Sequence, residues 1–376
     1  MAQIAENEPL IASRKAKSSR PLRVAIVNAY LDGREALCEK NLYPRSHLWG
    51  ADSMSAAGWD TVFIRPQAAP FLQKLNARFG RRLGNPDFDT EVLRRANDFD
   101  VVYVADGRLP RTQLARARGR INAKIIQWEF VPPKDQQWWR LRSIWHRPGF
   151  ARGIDGFACL TETAAQAFRK LNPRALSRAI QWAPDTTMFP GSDADGEFLL
   201  ACGRTNRDYP TLLAAAAKVP FPIVLLVSPD LVRGLPIPKN VRFVEGPKDG
   251  GTDKGIPYPE LIHHWYANAR AVLIPRLDIP TDTSGFTNLL EALAMFRPVL
   301  MTRTGKLDLD IEKVGIGCFV NPQDPADWAE KMTKLWNESG LRQNMRENAR
   351  EQVRTYYNLR RFGKDIVEFV ASVAEC

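Results

Sequence analysis

The stretch SGFTNLLEALA, Ser284–Ala294, predicts a helix whose first turn is suited to holding a ligand. Gly285 allows a ligand to approach the backbone closely, and Thr287 and Asn288 add side-chain donors. In an α/β domain, the N-terminus of such a helix points free N–H groups and partial positive charge into the cleft, which favours an anion. Glu291, one turn further on, is placed to accept hydrogen bonds from sugar hydroxyls. The alternative is an ordinary helix with Ser284 as its N-cap and Glu291 in solvent.

The segment ACGRTNRDYP, residues 201–210, places two arginines, Arg204 and Arg207, in the turn after a buried strand. Arginine matches phosphate oxygens bidentately, so two guanidinium groups at the carboxyl end of a strand suit a diphosphate. Two arginines in a turn are otherwise ordinary surface charges. The diphosphate interpretation is favoured here because the arginine turn and the helix Ser284–Ala294 are predicted at the same edge of one sheet.

Apolar runs rich in β-branched residues alternate with helical patterns along the chain, and this alternation occurs twice. The first series is LRVAIVNAYL, WDTVFIRP, DFDVVYVADG, AKIIQWEFVPP and IDGFACLTE, and the second is EFLLACGR, PIVLLVS, VRFVEG, AVLIPR, PVLMTR and GCFVN. Strands that alternate with helices favour parallel sheets, so we predict an α/β protein with two Rossmann-like, doubly wound domains and a cleft between them.

The predicted break between the two domains lies near AIQWAPDTTMFPGSDADGE, which is rich in Pro, Gly and Asp. The predicted units are a disordered basic arm (1–20), a first doubly wound domain (21–185), a second doubly wound domain (186–341), and C-terminal helices that cross back to the first domain (342–376).

The bulk properties exclude several classes of protein. No apolar run of the 376 residues approaches the roughly 20 residues of a membrane span, and the N-terminus lacks the apolar core of a secretory signal. The five cysteines are scattered and form no C-x-x-C pair, which indicates a reducing, cytoplasmic compartment without a zinc site or a disulfide framework.

Positive charge and tryptophan are concentrated in the first half of the chain. Residues 1–185 carry 30 Lys and Arg against 18 Asp and Glu, whereas residues 186–376 carry 23 against 24. Seven of the ten tryptophans also lie in the first half. This asymmetry predicts that the first domain faces an anionic partner.

The second half resembles the donor domain of family 4 glycosyltransferases, retaining enzymes with the two-domain GT-B fold that include bacterial lipid and polysaccharide glycosyltransferases. GRTNRDYPTLLAA is similar to the family's Gly-Arg … Lys-Gly … Leu-Leu segment, with Arg207 in the lysine position. SGFTNLLEALAMFRPVLMTRTG is similar to its Leu-Glu-Ala-Met-Ala … Pro-Val segment, and IQWAPDTTMF resembles its interdomain element. The resemblance is close over residues 196–335 and extends to the first half only in layout.

This resemblance implies a nucleotide sugar, UDP- or GDP-linked, as the donor and a hexose-type sugar as the transferred group. The implied donor-binding residues are Gly203, Arg204, Arg207, Asp282, Thr283, Ser284, Gly285, Phe286, Thr287, Asn288 and Glu291. The chain departs from the family at Thr283, where the first of two glutamates is usual, and the neighbouring Asp282 is a candidate substitute. The family's first-domain histidine is also missing, and Asp106 and Glu129 are the carboxylates that follow the corresponding strands.

The implied mechanism needs fixed positive charge beside the departing diphosphate, which Arg204, Arg207 and the helix N-terminus would supply. We assign Arg204, Arg207 and Asp106 as catalytic candidates and expect neither a cofactor nor a metal. Asp-x-Asp occurs at 87–89, 98–100 and 308–310, but each motif fits a polar edge around one apolar residue better than a metal site. His263 and His264 are adjacent and cannot share a helix face.

Two first-half segments predict an acceptor surface that docks on anionic lipid. One is a basic amphipathic helix at 70–84 and the other a Trp- and Arg-rich segment at 134–153, patterns typical of membrane interfaces. The residues assigned to this surface are Phe71, Lys74, Arg78, Arg81, Arg82, Trp138, Trp139, Arg140, Arg142 and Trp145. The expected location is the inner face of the cell membrane, with diacylglycerol or a lipid-linked glycan as the acceptor.

Several alternatives stay open at this point. The acceptor is instead a soluble sugar or a polysaccharide, the enzyme is a nucleotide-sugar epimerase of the same fold, or the protein binds a donor without transferring it. The segments at 70–84 and 134–153 are also consistent with helices that pack on their own domain and expose a solvated basic face. A nucleic-acid partner is not expected, because no recognition module accompanies the basic residues. The sequence leaves the oligomeric state undetermined.

Overall fold

The computed structural model describes residues 20–30, 33–66, 84–133, 147–245, 256–305 and 307–376. Within these residues the chain forms two six-stranded sheets in which every paired strand is parallel. The predicted fold class, two Rossmann-like doubly wound domains with a cleft between them, is therefore confirmed.

The first domain has the strand order β2-β1-β3-β4-β5-β6. Its strands are β1 (Arg23–Asn28), β2 (Asp60–Phe63), β3 (Val101–Asp106), β4 (Lys124–Glu129), β5 (Gly156–Cys159) and β6 (Leu176–Ala179). Its helices are α1 (Glu35–Glu39), α2 (Ala51–Ala56), α3 (Pro86–Arg95), α4 (Pro110–Ala117), α5 (Pro148–Ala151) and α6 (Glu162–Leu171), with 3₁₀ turns at Arg45–Leu48 and Ala96–Asp98.

The second domain has the strand order β12-β11-β10-β7-β8-β9. Its strands are β7 (Phe198–Cys202), β8 (Ile223–Val227), β9 (Val241–Glu245), β10 (Ala269–Ile274), β11 (Val299–Thr302) and β12 (Gly317–Val320). The helices of the second half are α7 (Tyr209–Ala216), α8 (Tyr258–Glu260), α9 (Phe286–Ala294), α10 (Pro325–Asn337), α11 (Ser339–Thr355) and α12 (Leu359–Glu375), with a 3₁₀ turn at Pro229–Leu231 and a π-helical segment at Leu261–Tyr266.

The strand order reverses once in each sheet, between β1 and β3 in the first domain and between β7 and β10 in the second. In a doubly wound sheet the connections leave in opposite directions at such a point and open a crevice at the carboxyl ends of the strands. Asp106 ends β3 beside Asn28 of β1, and Arg207 follows β7. The chain therefore brings candidate residues to the crevice of each domain.

The last helices divide between the two domains. Helix α11 packs on α9 and α10 of the second domain, whereas α12 packs on α2 and β4 of the first. Phe362 of α12 lies edge-on to Trp49 and Trp128 in the first-domain core, with ring centroids 6.5 and 6.1 Å apart. The helix that returns to the first domain is therefore α12, which begins at Leu359. The predicted return at residue 342 is too early, because the apolar face of α11 is buried against the second domain.

Some sequence predictions fall outside the described residues. These are the basic arm up to residue 19, residues 70–83 of the amphipathic helix predicted at 70–84, and residues 134–146 of the Trp- and Arg-rich segment predicted at 134–153, which together contain every residue assigned to the membrane surface. Among the helices that are described, none has both the length and the apolar character needed to cross a membrane.

Candidate functional site

Two loops of the second domain meet at the carboxyl ends of β7 and β10. Arg207, in the loop after β7, forms an antiparallel bridge with Arg276, which follows β10. The Leu277 N–H donates to the Asn206 carbonyl at 3.0 Å. This pairing brings the arginine turn and the loop that leads into α9 together, so the two sequence features lie at one edge of the sheet as predicted.

The guanidinium of Arg207 is held at the start of α9. Its Nη2 donates to Asn288 Oδ1 at 2.6 Å, and its Nη1 donates to the Thr205 carbonyl at 2.5 Å and to Ser284 Oγ at 3.4 Å. Gly203 makes this placement possible, because a Cβ there would lie 2.6 Å from both Arg207 Nη2 and Asn288 Oδ1. The arginine is therefore oriented by the protein's own backbone and side chains.

The N-terminus of α9 is left open. Gly285 is its N-cap, with φ +87°, and no side chain caps the helix. A Cβ on Gly285 would lie 2.8 Å from Ile274 Cγ2, so both the backbone angle and the packing require glycine. Ser284 donates its hydroxyl to Asp282 instead of capping the helix. The alternative with Ser284 as the N-cap is thus wrong. The Phe286 N–H donates to the Thr283 carbonyl, so the Thr287 and Asn288 N–H groups are the ones that this helix start offers to a ligand beside Arg207.

Asp282 holds the loop before α9 together. Its carboxylate accepts hydrogen bonds from Asn206 Nδ2 at 3.0 Å, from the Ser284 N–H at 3.1 Å and from Ser284 Oγ, and Arg276 Nη2 lies 3.5 Å away. Burial raises its pKa, but the hydrogen bonds from Ser284 and Asn206 outweigh burial and leave the pKa below its ordinary value. These partners favour a positioning role for Asp282 over contact with a donor sugar.

Glu291 is buried, so the alternative that places it in solvent is wrong. Its Oε2 accepts from Tyr266 Oη at 2.7 Å and lies 3.5 Å from Asn288 Nδ2. Burial raises the pKa of Glu291 to about 7, although the hydrogen bonds from Tyr266 and Asn288 oppose that rise. The carboxyl therefore changes its charge near neutral pH.

Glu291 faces a recess between the domains. The recess is lined by Pro44, Ser46, His47, Trp182, Ala183, Pro184, Asp185, Phe189, Thr287, Leu290 and Glu291. Burial lowers the pKa of His47 to about 3, so this imidazole is neutral at physiological pH. Tyr30 stacks on it, with ring centroids 5.4 Å apart, and Trp182 lies edge-on at 5.1 Å. Sequence reasoning missed His47, because its segment reaches the recess only when the interdomain linker, residues 180–197 between β6 and β7, packs against it.

The remaining catalytic candidates lie at different places. Arg204 is exposed in the turn that follows β7. Asp106 belongs to the first domain, where burial raises its pKa and Arg108 and the Tyr30 N–H lower it. Thr283 accepts the Phe286 N–H through its carbonyl, and the Phe286 side chain is buried in the core. The structure thus brings Arg207 and the start of α9 together but places Asp106 in the opposite domain.

Other carboxylates of interest have structural partners. Glu129 accepts from Arg108 Nη2 at 2.7 Å, which leaves it in a buried ion pair. Asp89 accepts from the N–H groups of Arg111 and Thr112, and Asp308 accepts from the Glu162 N–H and Gln181 Nε2. Within the part of the chain that is described, no group of three or more His, Cys, Asp or Glu side chains is arranged to hold a metal ion.

The fold and this site can be compared with known proteins. No protein-family model and no curated protein matches the sequence. Solved structures do match the fold. A sucrose-phosphate synthase from Thermosynechococcus elongatus superposes with a TM-score of 0.66 at 16% identity over 94% of this chain and 99% of its own. HepE of Anabaena, in complex with UDP-glucose, has a TM-score of 0.62 at 13% identity over 93% and 100%.

A third similar structure is WaaG, described as a glycosyltransferase involved in lipopolysaccharide biosynthesis, with a TM-score of 0.56 at 15% identity over 92% of this chain and 98% of its own. Each of these chains is matched over nearly its whole length, both domains included. At such identities the similarity is one of fold. The chain has the GT-B fold of these glycosyltransferases.

Proposed function

We propose that the protein is a glycosyltransferase that moves a sugar from a nucleotide-sugar donor to a membrane-associated acceptor. The observation that carries this proposal is the Arg207 guanidinium, fixed by Asn288 and Ser284 at the open N-terminus of α9. A guanidinium and free helix N–H groups at one point form a preorganised anion site. Glu291, one turn further along the helix, is placed to accept from a ribose. The donor complex of HepE makes UDP-glucose the first donor to test.

In this mechanism the protein stabilises the diphosphate as its bond to the anomeric carbon breaks. Arg207 and the start of α9 supply the positive potential, with Arg204 in the exposed turn after β7. The transfer retains the anomeric configuration, because the acceptor attacks from the face that the diphosphate leaves and the phosphate takes the acceptor proton. No nucleophile from the protein and no metal is needed. Asp106, in the opposite domain, would contact the sugar or the acceptor.

A nucleotide-sugar epimerase would use the same site, since it breaks the same bond. Incubation of the protein with UDP- and GDP-sugars and a membrane-lipid extract separates the two functions. We expect a new α-linked glycolipid from an α-linked donor. A free epimerised sugar without any glycoside would support the epimerase instead.

Replacing Arg207 with alanine should weaken nucleotide binding by about 1.5–3 kcal/mol, the usual contribution of a hydrogen bond to a charged group. Titration calorimetry with UDP and GDP, with and without chelator, measures this loss. The matched control is Arg354→Ala, which removes an exposed arginine of α11 and should leave binding unchanged. Absence of nucleotide binding by the unaltered protein, or its loss on chelation, would contradict the proposed site.

We further propose that the acceptor lies in an anionic membrane and that the first domain docks on its cytoplasmic face. The support is the concentration of positive charge and tryptophan in residues 1–185, together with the patterns at 70–84 and 134–153. WaaG, with the same fold, is described as a glycosyltransferase involved in lipopolysaccharide biosynthesis. Diacylglycerol or a lipid-linked glycan is the proposed acceptor class.

Changing Lys74, Arg78, Arg81 and Arg82 to serine should abolish most binding to anionic liposomes, because each basic residue near such a surface contributes about 1 kcal/mol. Salt should have the same effect on the unaltered protein. Sedimentation with liposomes measures both. The control set changes four exposed basic residues of the second domain to serine: Lys218, Arg233, Lys239 and Lys334. Equal losses from the two sets would show that net charge, and not the 70–84 segment, governs binding, and no binding at low salt would favour a soluble acceptor.

A further inference from the structure

A chain of hydrogen bonds links the proposed diphosphate end of the site to the proposed ribose end. Arg207 Nη2 donates to Asn288 Oδ1 at 2.6 Å, and Asn288 Nδ2 lies 3.4 Å from Tyr266 Oη. Tyr266 Oη in turn donates to Glu291 Oε2 at 2.7 Å. Asn288 also reaches Glu291 Oε2 directly at 3.5 Å. Every donor in this chain points from the guanidinium towards the carboxylate.

The chemistry of the two ends fixes the direction of the bonds between them. A guanidinium can only donate, so the amide oxygen of Asn288 has to face Arg207 and its NH₂ group has to face the other way. An ionised carboxylate can only accept, so the hydroxyl of Tyr266 has to donate to Glu291. Tyr266 is fully buried, which excludes water as a substitute donor. The two intermediate side chains therefore hold both ends in one arrangement.

We propose that Asn288 and Tyr266 are positioning residues that couple the arginine of the diphosphate site to the carboxylate of the ribose site. Neither is needed to touch the reacting bond. Asn288 sets the orientation of the Arg207 guanidinium, and Tyr266 orients Glu291 and stabilises its ionised form. This inference rests on the proposed nucleotide-sugar site and extends it to residues that the sequence patterns do not assign a positioning role.

The charge of Glu291 depends on groups that surround it from several elements. Its own helix contributes Asn288, the π-helical segment contributes Tyr266, and β7 contributes Cys202, whose Sγ lies 3.4 Å from Tyr266 Oη. The remaining titratable or charged groups around the carboxyl and its recess are Tyr258, His47, Asp185 and Arg207. Tyr258 also donates a hydrogen bond to this carboxyl. Tyr266 is tested here because its 2.7 Å hydrogen bond joins the carboxylate to Asn288 and Arg207.

Asn288→Leu tests the coupling at the diphosphate end, because leucine has a similar size but cannot accept from Arg207. We expect it to lower the affinity for UDP or GDP about tenfold and that for the matching monophosphate less than about threefold, since the lost orientation concerns the second phosphate. The control is Asn122→Leu, at an exposed position of the first domain. Equal losses for diphosphate and monophosphate would mean that Asn288 has only a structural role.

Tyr266→Phe tests the ribose end through pH. Nucleotide affinity of the unaltered protein should fall as the pH drops through about 7, where Glu291 takes up a proton. Removal of the hydroxyl withdraws a hydrogen bond from the ionised form, so the midpoint of this fall should move upward by about one pH unit. The control is Tyr356→Phe, at an exposed tyrosine. An unchanged midpoint in a folded Tyr266→Phe protein would overturn the proposed coupling.

The proposed function and the positioning role of Asn288 and Tyr266 are tested separately by these measurements. If the unaltered protein binds neither UDP nor GDP, the proposed function fails. If it binds one of them and both variants keep the same diphosphate preference and pH midpoint, the nucleotide site stands and the positioning role of Asn288 and Tyr266 is wrong. Thermal unfolding of each variant shows whether a loss of affinity reflects a loss of folded protein.

Discussion

Glu291→Gln is expected to make the folded chain more stable than the unaltered protein at pH 8, by about 3 kcal/mol, and at the same time to weaken nucleotide binding. The stability gain comes from the raised pKa, which moves from 4.5 to about 7 on burial. A shift of one pKa unit corresponds to about 1.4 kcal/mol between the two protonation states. Glutamine keeps the shape of the side chain and avoids the burial of a charge.

The direction of the pH effect follows from linkage. Below about pH 4.5 the carboxyl is protonated in both the folded and the unfolded chain, so the substitution should change the free energy of unfolding little. Between 4.5 and about 7 the unfolded chain releases its proton while the folded chain retains it, so the unaltered protein loses stability as the pH rises. Above about 7 the difference is complete.

Chemical unfolding at pH 5 and pH 8 measures the effect, with Glu347→Gln as the control at an exposed carboxylate of α11. The stability difference between Glu291→Gln and the unaltered protein should grow from pH 5 to pH 8, and the control should show no such growth. A difference of the same size at both pH values would contradict the assigned pKa. Retained nucleotide affinity in the variant at pH 8 would contradict the role of Glu291 in the donor site.

Most strands were predictable because they are buried on both faces. VVYVAD and IVLLV are continuous apolar runs that only a parallel sheet covered by helices explains. Strand β6 was missed because its sequence, LSRA, is short and half polar, and only its pairing with β5 defines it. Helices α1 and α3 were missed for a related reason, since local charges and prolines obscure their apolar faces.

The candidate site was predictable in part for a similar reason. Arg207 and Gly285 lie next to strand ends and helix starts, so local sequence places them at a known edge of the sheet. The roles of Tyr266 and His47 depend on contacts between distant segments, which no local pattern encodes. The structural role of Asp282 became apparent only from the loop geometry, since a carboxylate beside a helix start is equally consistent with a ligand contact.

Asp185→Ala is expected to lower the free energy of unfolding by about 3–5 kcal/mol. The reason is that a single buried carboxylate in the interdomain linker accepts from several N–H groups, and all of them lose their acceptor together. Asp185 is fully buried and accepts from the Arg45 N–H at 2.8 Å, from Thr187 Oγ1 at 2.6 Å and from the N–H groups of Thr187 and Met188 at 3.1 and 3.3 Å. Arg45 belongs to the first domain, so this carboxylate fastens the linker to that domain.

Aromatic contacts also hold the linker to the first domain, and they limit how far the backbone of the Asp185→Ala variant can move. Trp182 stacks on Trp49 with ring centroids 5.0 Å apart, and its Nε1 donates to the Ser46 carbonyl at 3.1 Å. These contacts should keep the linker docked, so that the N–H groups around residue 185 stay buried and unpaired instead of reaching water. A large loss of stability, and not a small local rearrangement, is therefore expected.

Chemical unfolding of Asp185→Ala measures the loss, and Asp193→Ala supplies the control on the same linker. Asp193 forms an exposed ion pair with Arg350, and its removal should cost less than about 1 kcal/mol. Asp185→Asn should lie between the two, because an amide oxygen can still accept from part of the set. Equal losses for the alanine variants at 185 and 193 would show that the carboxylate of Asp185 does not fasten the linker. In an Asp185→Ala protein that remains folded, sugar transfer should fall more than nucleotide binding. Nucleotide binding needs only Arg207 and α9 of the second domain, whereas transfer requires both domains.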